Sequence, residues 1–270
     1  MRVRSEELNG LLRGLKLSTM AETYATLAIR AAREGLTHEQ YLYELTILER
    51  QSRDQRRVER LLLQSFLPRE KTFATLDLAC FPPLVRQQIE RLRRGGFLDD
   101  AVNVVALGNP GTGKSHLAAA LGLELVSQSR SVFYTPAFAL VQRLLAAKRD
   151  LKLPQEFAKL DRFECLILDD IGYIQQDQEE MEVLFALLAD RYERRSTVIT
   201  TNLAFSEWDR IFKNPMTTMA AIDRVVHHSV VLDLMGLDSY RAREAAAKRQ
   251  EEEEKAEEEP AILIDVNRQK

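Results

Sequence analysis

The chain has 270 residues, of which 45% are hydrophobic, 29% are charged and 7% are aromatic. This length allows one large domain with an appendage, or two small domains, each with a hydrophobic core. No apolar run reaches the roughly 20 residues of a membrane helix, and the N-terminal residues lack the pattern of a signal peptide. Cys80 and Cys165 lie far apart without neighbouring metal ligands. The sequence therefore predicts neither a zinc site nor a disulfide framework, and we expect a reduced, cytoplasmic setting.

The formal net charge of −3 is unevenly distributed along the chain. Residues 251–270 contain eight acidic and three basic side chains, so the rest of the chain carries a small net positive charge. A mildly basic body with an acidic tail is compatible with nucleic-acid binding but does not require it. We expect residues 246–270 to form an acidic, flexible tail.

Residues 1–70 have the pattern of a small all-helical domain, which we expect to bind DNA or a partner. Apolar residues recur there at helical spacing. They are Leu8, Leu11, Leu12 and Leu15 in a first segment, and Leu42, Leu45 and Leu48 in a second segment that begins after Thr37.

A basic stripe follows on the second segment. Its members are Arg50, Arg53, Arg56, Arg57 and Arg60. Residues three or four positions apart lie on the same face of a helix. The stripe is therefore either an ordinary solvated face, relieved by nearby acidic residues, or a surface that contacts DNA phosphates.

From residue 71 the pattern changes to that of an α/β domain, which we assign to residues 71–245. Pro68 and the pair Pro82-Pro83 interrupt helical continuity near its start. Five short aliphatic runs then alternate with helical segments, at residues 103–107, 131–135, 165–169, 197–201 and 230–234. Strands separated by helices predict a five-stranded parallel sheet with helices on both faces.

A phosphate-binding pattern, GxxxxGK[ST], lies directly between the first of these strands and a helical segment. The predicted nucleotide-binding residues are Gly108, Asn109, Pro110, Gly111, Thr112, Gly113, Lys114, Ser115 and His116. Glycines let the backbone N–H groups approach phosphate, and the helix N-terminus adds partial positive charge. Lys114 can reach the β- and γ-phosphates, and the Ser115 hydroxyl can bind Mg²⁺.

Polar side chains also follow two other strands. Asp169 and Asp170 come after the apolar run that begins at Cys165, at the carboxyl end of a strand, where ligands bind in open α/β sheets. We expect Asp169 to hold Mg²⁺ and Asp170 to polarise the attacking water. Asn202 follows the next strand, where its amide either positions that water or belongs to an ordinary turn.

These motifs together resemble the AAA+ branch of P-loop ATPases. More narrowly, they resemble the IstB-like ATPases that assist insertion-sequence transposition and are relatives of the DnaC helicase loader. The resemblance extends from Leu8 to Arg243 and is most specific in segments such as NPGTGKSHLAAAL, LDDIGY, AAIDRVVHHS and GLDSYR. The N-terminal segments LKLSTMAETY and FLPREKTF are similar to the transposition helpers and unlike the helicase loader.

The resemblance implies ATP and Mg²⁺ as cofactors, and homo-oligomers with ATP at the subunit interfaces. Arg224 matches the arginine finger, which reaches the ATP of a neighbouring subunit. Arg191 and Arg194 are rival candidates, and a surface salt bridge is the alternative role for Arg224. Arg241 occupies the position of the sensor II arginine, which is expected near the γ-phosphate. A guanidinium suits both positions because it stabilises the charge of a transferring phosphoryl group.

The implied function is that of an ATPase that oligomerises on duplex DNA and recruits or stimulates the transposase of the same element. Many AAA+ enzymes have glutamate at the position of Asp170, so we expect slow hydrolysis that DNA or a partner stimulates. The main alternative is a helicase loader with single-stranded DNA and a replicative helicase as partners. A DNA-coating scaffold with little hydrolysis and a small-molecule kinase are further alternatives. No zinc finger or homeodomain pattern is present, so we expect DNA contacts mostly to phosphates.

Two further residue types have ordinary interpretations. Trp208 lies at helical spacing with Phe205 and Phe212, which predicts a core position and not a base-stacking platform. His227 and His228 have no cysteine or acidic cluster beside them in sequence. We therefore expect them to have a packing or capping role and not to form a metal site.

Overall fold

The computed structural model describes residues 5–172, 178–208 and 215–240. The predicted sensor II arginine, Arg241, and the predicted acidic tail lie outside these ranges. Within them, no helix is both long and apolar enough to cross a membrane.

The N-terminal part of the chain is helical, as predicted, and contains three helices. They are α1 (Ser5–Gly14), α2 (Ser18–Glu34) and α3 (His38–Ser65). α3 begins with a reciprocal cap: the Thr37 hydroxyl accepts a hydrogen bond from the Gln40 N–H at 3.2 Å, and the Gln40 side chain accepts one from the Thr37 N–H at 2.8 Å. This arrangement satisfies two backbone donors that a helix N-terminus leaves free.

A buried carboxylate joins α2 to α3. Glu49 of α3 is only 3% exposed, and it accepts hydrogen bonds from the backbone N–H groups of Thr19 at 2.8 Å and Met20 at 3.0 Å. The Arg53 side chain donates to the same carboxylate at 2.8 Å. Because the first N–H groups of a helix favour a negative charge, Glu49 holds the start of α2 against the middle of α3.

One five-stranded sheet forms the centre of the remaining chain. Its strands are β1 (Asn103–Gly108), β2 (Val132–Pro136), β3 (Cys165–Ile171), β4 (Ser196–Thr201) and β5 (Ser229–Leu234). All neighbouring strands are parallel, in the order β2-β3-β4-β1-β5. The predicted five-stranded parallel sheet is confirmed.

Helices cover both faces of this sheet. The α-helices are α4 (Pro83–Arg93), α5 (Lys114–Ser127), α6 (Ala137–Arg149), α7 (Leu153–Leu160), α8 (Gln178–Arg191) and α9 (Pro215–Val226), with short 3-10 helices at Leu78–Cys80, Gly96–Leu98 and Phe205–Glu207. Alternate side chains of a strand point to opposite faces. Val105 and Leu107 of β1 therefore belong to one core, with α6, α8 and α9, and Val104 and Ala106 to the other, with α4 and α5. Trp208 is buried in the first core, as predicted.

The last turns of α3 belong to the second core. Val58, Leu61 and Leu62 pack there together with the side chains of α5. Arg57 donates a hydrogen bond to the carbonyl of Ser129, just beyond α5, at 3.3 Å. The long helix α3 thus connects the N-terminal helices to the sheet through direct packing on α5.

The Glu49 contact predicts a pH-dependent contribution to stability. Burial raises the pKa of Glu49, but the hydrogen bonds from Arg53, Met20 and Thr19 together lower it below its ordinary value of 4.5. A lowered folded-state pKa means that the contribution is present above about pH 4.5 and is lost as the pH falls through the folded-state value. We expect Glu49→Gln to lower the free energy of unfolding by about 1.5–3 kcal/mol at neutral pH, and by less near pH 3, in denaturant titrations.

The matched control is Glu44→Gln. Glu44 also lies on α3, but it pairs with Arg30 at an exposed position, where an ion pair contributes about 1 kcal/mol or less. Equal losses for the two variants, or a loss for Glu49→Gln that is unchanged in acid, would contradict the anchoring role of Glu49.

Candidate nucleotide-binding site

The strand order brings the predicted site residues to one edge of the sheet. β4 lies between β3 and β1, and parallel strands end at the same edge. Asn202, which follows β4, therefore lies between the loop after β1 and the acidic residues at the end of β3. This is the edge at which open α/β sheets bind ligands.

The glycine-rich loop between β1 and α5 has the backbone shape that the sequence pattern predicts. Gly111 and Gly113 have φ values of +87° and +91°, a region that side chains disfavour. α5 begins at Lys114, whose buried ammonium donates to the carbonyls of Gly108 at 2.6 Å and Asn109 at 2.9 Å. The loop thus gathers a positive charge and a helix N-terminus in one place, which is the chemistry that binds phosphate.

A cavity of about 430 Å³ opens beside this loop, within the size range of small-molecule sites. Its three walls are the loop itself, the connector before α4 and the segment after β5. The lining residues outside the loop are Lys71, Thr75, Leu76, Asp77, Cys80, Phe81, Gly236, Leu237, Asp238 and Tyr240.

The residues of the connector wall were not predicted from the sequence. Leu76 and Phe81 give this wall an apolar surface, and no spacing relative to the loop indicates their position. His116, predicted to bind nucleotide, holds the wall in place: its Nε2 lies 3.0 Å from the Thr72 carbonyl oxygen and 3.1 Å from the Thr75 hydroxyl.

The segment after β5 crosses the loop. Asn109 donates a side-chain hydrogen bond to the Met235 carbonyl at 3.0 Å, and the Tyr240 N–H donates to the Gly111 carbonyl at 3.0 Å. The approach is so close that a Cβ atom at Gly111 would lie 2.1 Å from the Ser239 hydroxyl oxygen. Tyr240 is the last described residue before Arg241.

The end of β3 is irregular at the two acidic residues. Leu168 pairs with Ile199 and Ile171 with Thr201, so β3 has one more residue than β4 over this stretch. Asp170 has a φ of +66° and is exposed. Bulges of this kind redirect side chains and are frequent beside active sites.

Three polar groups surround this bulge. The Asp169 carboxylate accepts hydrogen bonds from the Thr200 hydroxyl at 2.6 Å and the Tyr134 hydroxyl at 2.5 Å. The Asp170 N–H donates to the Thr200 hydroxyl oxygen at 2.7 Å. Burial, followed by the hydrogen bond to Asp169, raises the pKa of Tyr134, so this hydroxyl keeps its proton.

The residues at this edge fit a nucleotide with Mg²⁺. A carboxylate and a hydroxyl, Asp169 and Ser115, are the hard oxygen ligands that Mg²⁺ prefers. The side-chain oxygen of Asn202 is buried and has no hydrogen-bond partner among the described residues. Because buried polar atoms are normally satisfied, this oxygen marks a place where a water or ligand group fits.

The three candidate arginine fingers differ in environment. Arg191 is 2% exposed and donates to the backbone carbonyls of Leu160, Phe163 and Ser196 within its own chain, so it is a structural arginine. Arg194 is exposed and pairs with two nearby aspartates, Asp161 and Asp190.

Arg224 of α9 lies over an aromatic ring. Its guanidinium is 4.8 Å from the centre of the Phe185 ring. One of its terminal nitrogens is buried and has no hydrogen-bond partner within the described part of the chain.

The basic stripe divides into two groups. Arg53 donates to the Lys16 carbonyl at 2.6 Å and Arg56 to the Ser18 hydroxyl at 2.8 Å, so both hold the turn before α2. Arg57 bonds to the loop after α5. Arg50 and Arg60 are exposed, and neither makes a side-chain hydrogen bond or ion pair to another described residue.

The histidine pair is placed differently from the sequence-based expectation. His227 and His228 are both exposed and contact each other edge to face, with ring centres 4.5 Å apart. The fold brings Glu193 from the turn after α8 to within 3.2 Å of His228. The two side chains therefore do not pack in the core, and their acidic neighbour comes from a segment distant in sequence.

The crowding at Gly111 gives a test of the site. We expect Gly111→Ala to weaken the binding of a fluorescent ATP analogue at least about tenfold, because the added methyl group meets both an unfavourable φ and the Ser239 hydroxyl. Gly236→Ala is the matched control, since a Cβ atom there meets nothing within 4 Å although Gly236 lines the same cavity. Unchanged binding by Gly111→Ala would show that the loop is not part of the nucleotide-binding site.

The chain matches the sequence profile of a known family over residues 10–248, described as IstB-like ATP binding protein. It is 41% identical to a Sinorhizobium fredii protein named as an insertion sequence ATP-binding protein, over 87% of this chain and 79% of the relative. It is 35% identical to a Pseudomonas aeruginosa protein named as the ATP-binding protein of insertion sequence IS21, over 88% and 89% of the two chains.

Solved structures share the fold. The structure of DnaI is similar with a TM-score of 0.53 at 18% identity, over 63% of this chain and 96% of that one. The structure of the DnaC helicase loader is similar with a TM-score of 0.51 at 17% identity, over 62% and 97%. The fold is that of AAA+ P-loop ATPases, and the chain belongs to the family of IstB-like ATP-binding proteins.

Proposed function

We propose that this protein is an ATPase that assembles on duplex DNA in its ATP-bound state and recruits or stimulates the transposase of its insertion sequence. The main support is the P-loop with the cavity beside it. Asp169 and Asn202 do not line this cavity, but they lie at the ends of β3 and β4, at the same edge of the sheet as the P-loop. Mg²⁺ held by Ser115 and Asp169 would neutralise phosphate charge in the bound nucleotide. In this proposal Lys114 binds the phosphates, and Asp170 and Asn202 act on the attacking water.

The extent of the family match favours a transposition helper over a helicase loader. The match begins at residue 10 and therefore includes the second half of α1 and all of α2 and α3. The likeness to the DnaC helicase loader is confined to 62% of this chain and is a likeness of fold. A helicase loader, with single-stranded DNA as its ligand, is the competing outcome of the experiment below.

The position of Arg224 supports an ATP site shared between subunits. The Asn103 side chain donates to the carbonyl of Val225, next to Arg224, at 3.4 Å, which places Arg224 at the start of β1. The P-loop follows the other end of β1, roughly 16 Å away at about 3.3 Å per residue. This separation from its own P-loop supports a role for Arg224 at the nucleotide of a neighbouring subunit.

Two further expectations concern the rate of ATP hydrolysis and the role of Arg241. We expect slow hydrolysis, with ATP acting mainly as a switch, because the carboxylate of Asp170 is one methylene shorter than that of the usual glutamate. The hydrogen bond between Tyr240 and Gly111 supports Arg241, the next residue, as the sensor II arginine.

Assembly on DNA is the central test. We expect the full-length protein with ATP to form large particles on duplex DNA, measured by sedimentation and electron microscopy, because ATP closes the subunit interface. ADP, absence of nucleotide, and Lys114→Ala should each abolish these particles. Lys152→Ala, which alters an exposed lysine outside the cavity, should not. Small particles that prefer single-stranded DNA would favour the helicase loader, and absence of DNA binding would contradict both functions.

The basic stripe gives a second test, directed at Arg50 and Arg60, whose side chains make no hydrogen bond or ion pair to another described residue. We expect Arg50→Glu combined with Arg60→Glu to weaken duplex DNA binding at least about tenfold and to lower the slope of log affinity against log salt by about 2. Arg86→Glu combined with Arg149→Glu, at exposed sites on α4 and α6, makes the same change in net charge and is the control. Equal effects of the two pairs would identify the stripe as an ordinary solvated face.

A further inference from the structure

We propose that Tyr134 and Thr200 are positioning residues that hold the Asp169 carboxylate in the orientation that binds Mg²⁺ with ATP. The inference rests on the proposed Mg²⁺–ATP site and is independent of DNA and of the transposase. Neither residue is part of the nucleotide-binding motifs, and each lies on a strand that flanks β3.

The two hydroxyl groups hold the carboxylate from opposite sides. Tyr134 on β2 donates to one oxygen of Asp169 at 2.5 Å, and Thr200 on β4 donates to the other at 2.6 Å. β3 lies between β2 and β4 in the sheet. A carboxylate bound at both oxygens cannot rotate freely, so its remaining lone pairs point in a defined direction.

The bulge in β3 determines which way the Thr200 hydroxyl points. Its oxygen accepts the N–H of Asp170 at 2.7 Å, so its single hydrogen is directed to Asp169. Thr200 is fully buried, so its hydroxyl is not exposed to solvent. The Thr200 hydroxyl therefore connects the irregular backbone at Asp170 with the orientation of the Asp169 carboxylate.

Neutral partners hold Asp169 without cancelling its charge. No ion pair within the described residues includes Asp169, whereas the buried Glu49 is paired with Arg53. Hydroxyl donors fix the position of a carboxylate and leave its negative charge available to a cation. This is the pattern of outer partners that orient a metal ligand, whose removal typically weakens metal affinity about 10–100-fold.

The experiment measures Mg²⁺ dependence separately from nucleotide binding. Affinity for a fluorescent ATP analogue is determined for the full chain in excess EDTA and across a Mg²⁺ titration. We expect Tyr134→Phe and Thr200→Val each to raise the half-saturating Mg²⁺ concentration at least about tenfold, with affinity in EDTA changed less than about twofold. Thr200→Ser keeps the hydroxyl and should restore the Mg²⁺ response.

The control is Tyr41→Phe, which removes a hydroxyl that donates to the Tyr24 carbonyl in the N-terminal helices. Its Mg²⁺ response should equal that of the unaltered protein. Unchanged Mg²⁺ responses in Tyr134→Phe and Thr200→Val would overturn the inference and leave the proposed function intact. Equal losses in EDTA and in Mg²⁺ would also overturn it, because packing would then explain them. If the nucleotide affinity of the unaltered protein does not depend on Mg²⁺, both the inference and the proposed Mg²⁺ site are overturned.

Discussion

The parallel pairing of β3, β4 and β1 is the constraint on which the rest of the structure depends. It brings segments that are distant in sequence to one edge of the sheet, because parallel strands end on the same side. The same pairing places the start of β1, and with it Arg224, at the opposite edge. A subunit with a nucleotide cavity on one edge and an arginine on the other is suited to head-to-tail contacts with its copies. The proposed assembly uses this separation.

The helix α3 connects the N-terminal helices to α5, the helix that begins at the nucleotide site. Its last turns pack on α5, the helix whose first residue is Lys114. Its middle carries the basic stripe, and two arginines of the stripe, Arg53 and Arg56, hold the turn that precedes α2. A change at the P-loop and a change at the stripe therefore act on neighbouring rigid elements. This contact is a physical connection through which ATP binding and the proposed DNA binding can be linked.

Two buried or half-buried carboxylates show how environment assigns different roles to the same chemical group. Glu49 receives backbone N–H groups and an arginine, so its charge is compensated and it holds two helices together. Asp169 receives two neutral hydroxyl groups, so it is fixed in position while its charge stays available. A buried charge without a compensating partner is costly, and this cost is reduced when a cation binds.

Much of the architecture could be predicted from local sequence patterns. The helices, the five strands and the P-loop follow from residue spacing, from capping residues such as Thr37, and from glycines that allow positive φ. Each of these depends on interactions within a few residues, which a sequence shows directly. Strand order does not follow from such local patterns, since pairing of β1 with β4 joins residues almost a hundred positions apart.

Side-chain partners across the fold were decided by the tertiary structure alone. The sequence marks Asp169 as a strand-terminal acid, but Tyr134 and Thr200 are ordinary strand residues until the sheet places them on either side of it. Likewise, the sequence does not distinguish the roles of Arg191 and Arg224. The fold buries Arg191 against backbone carbonyls, so its role is structural. Contacts of this kind depend on the register and depth of packing between distant segments, and no local pattern encodes either. The sequence by itself determined the elements and the phosphate-binding chemistry, and the packing decided which side chains orient that chemistry.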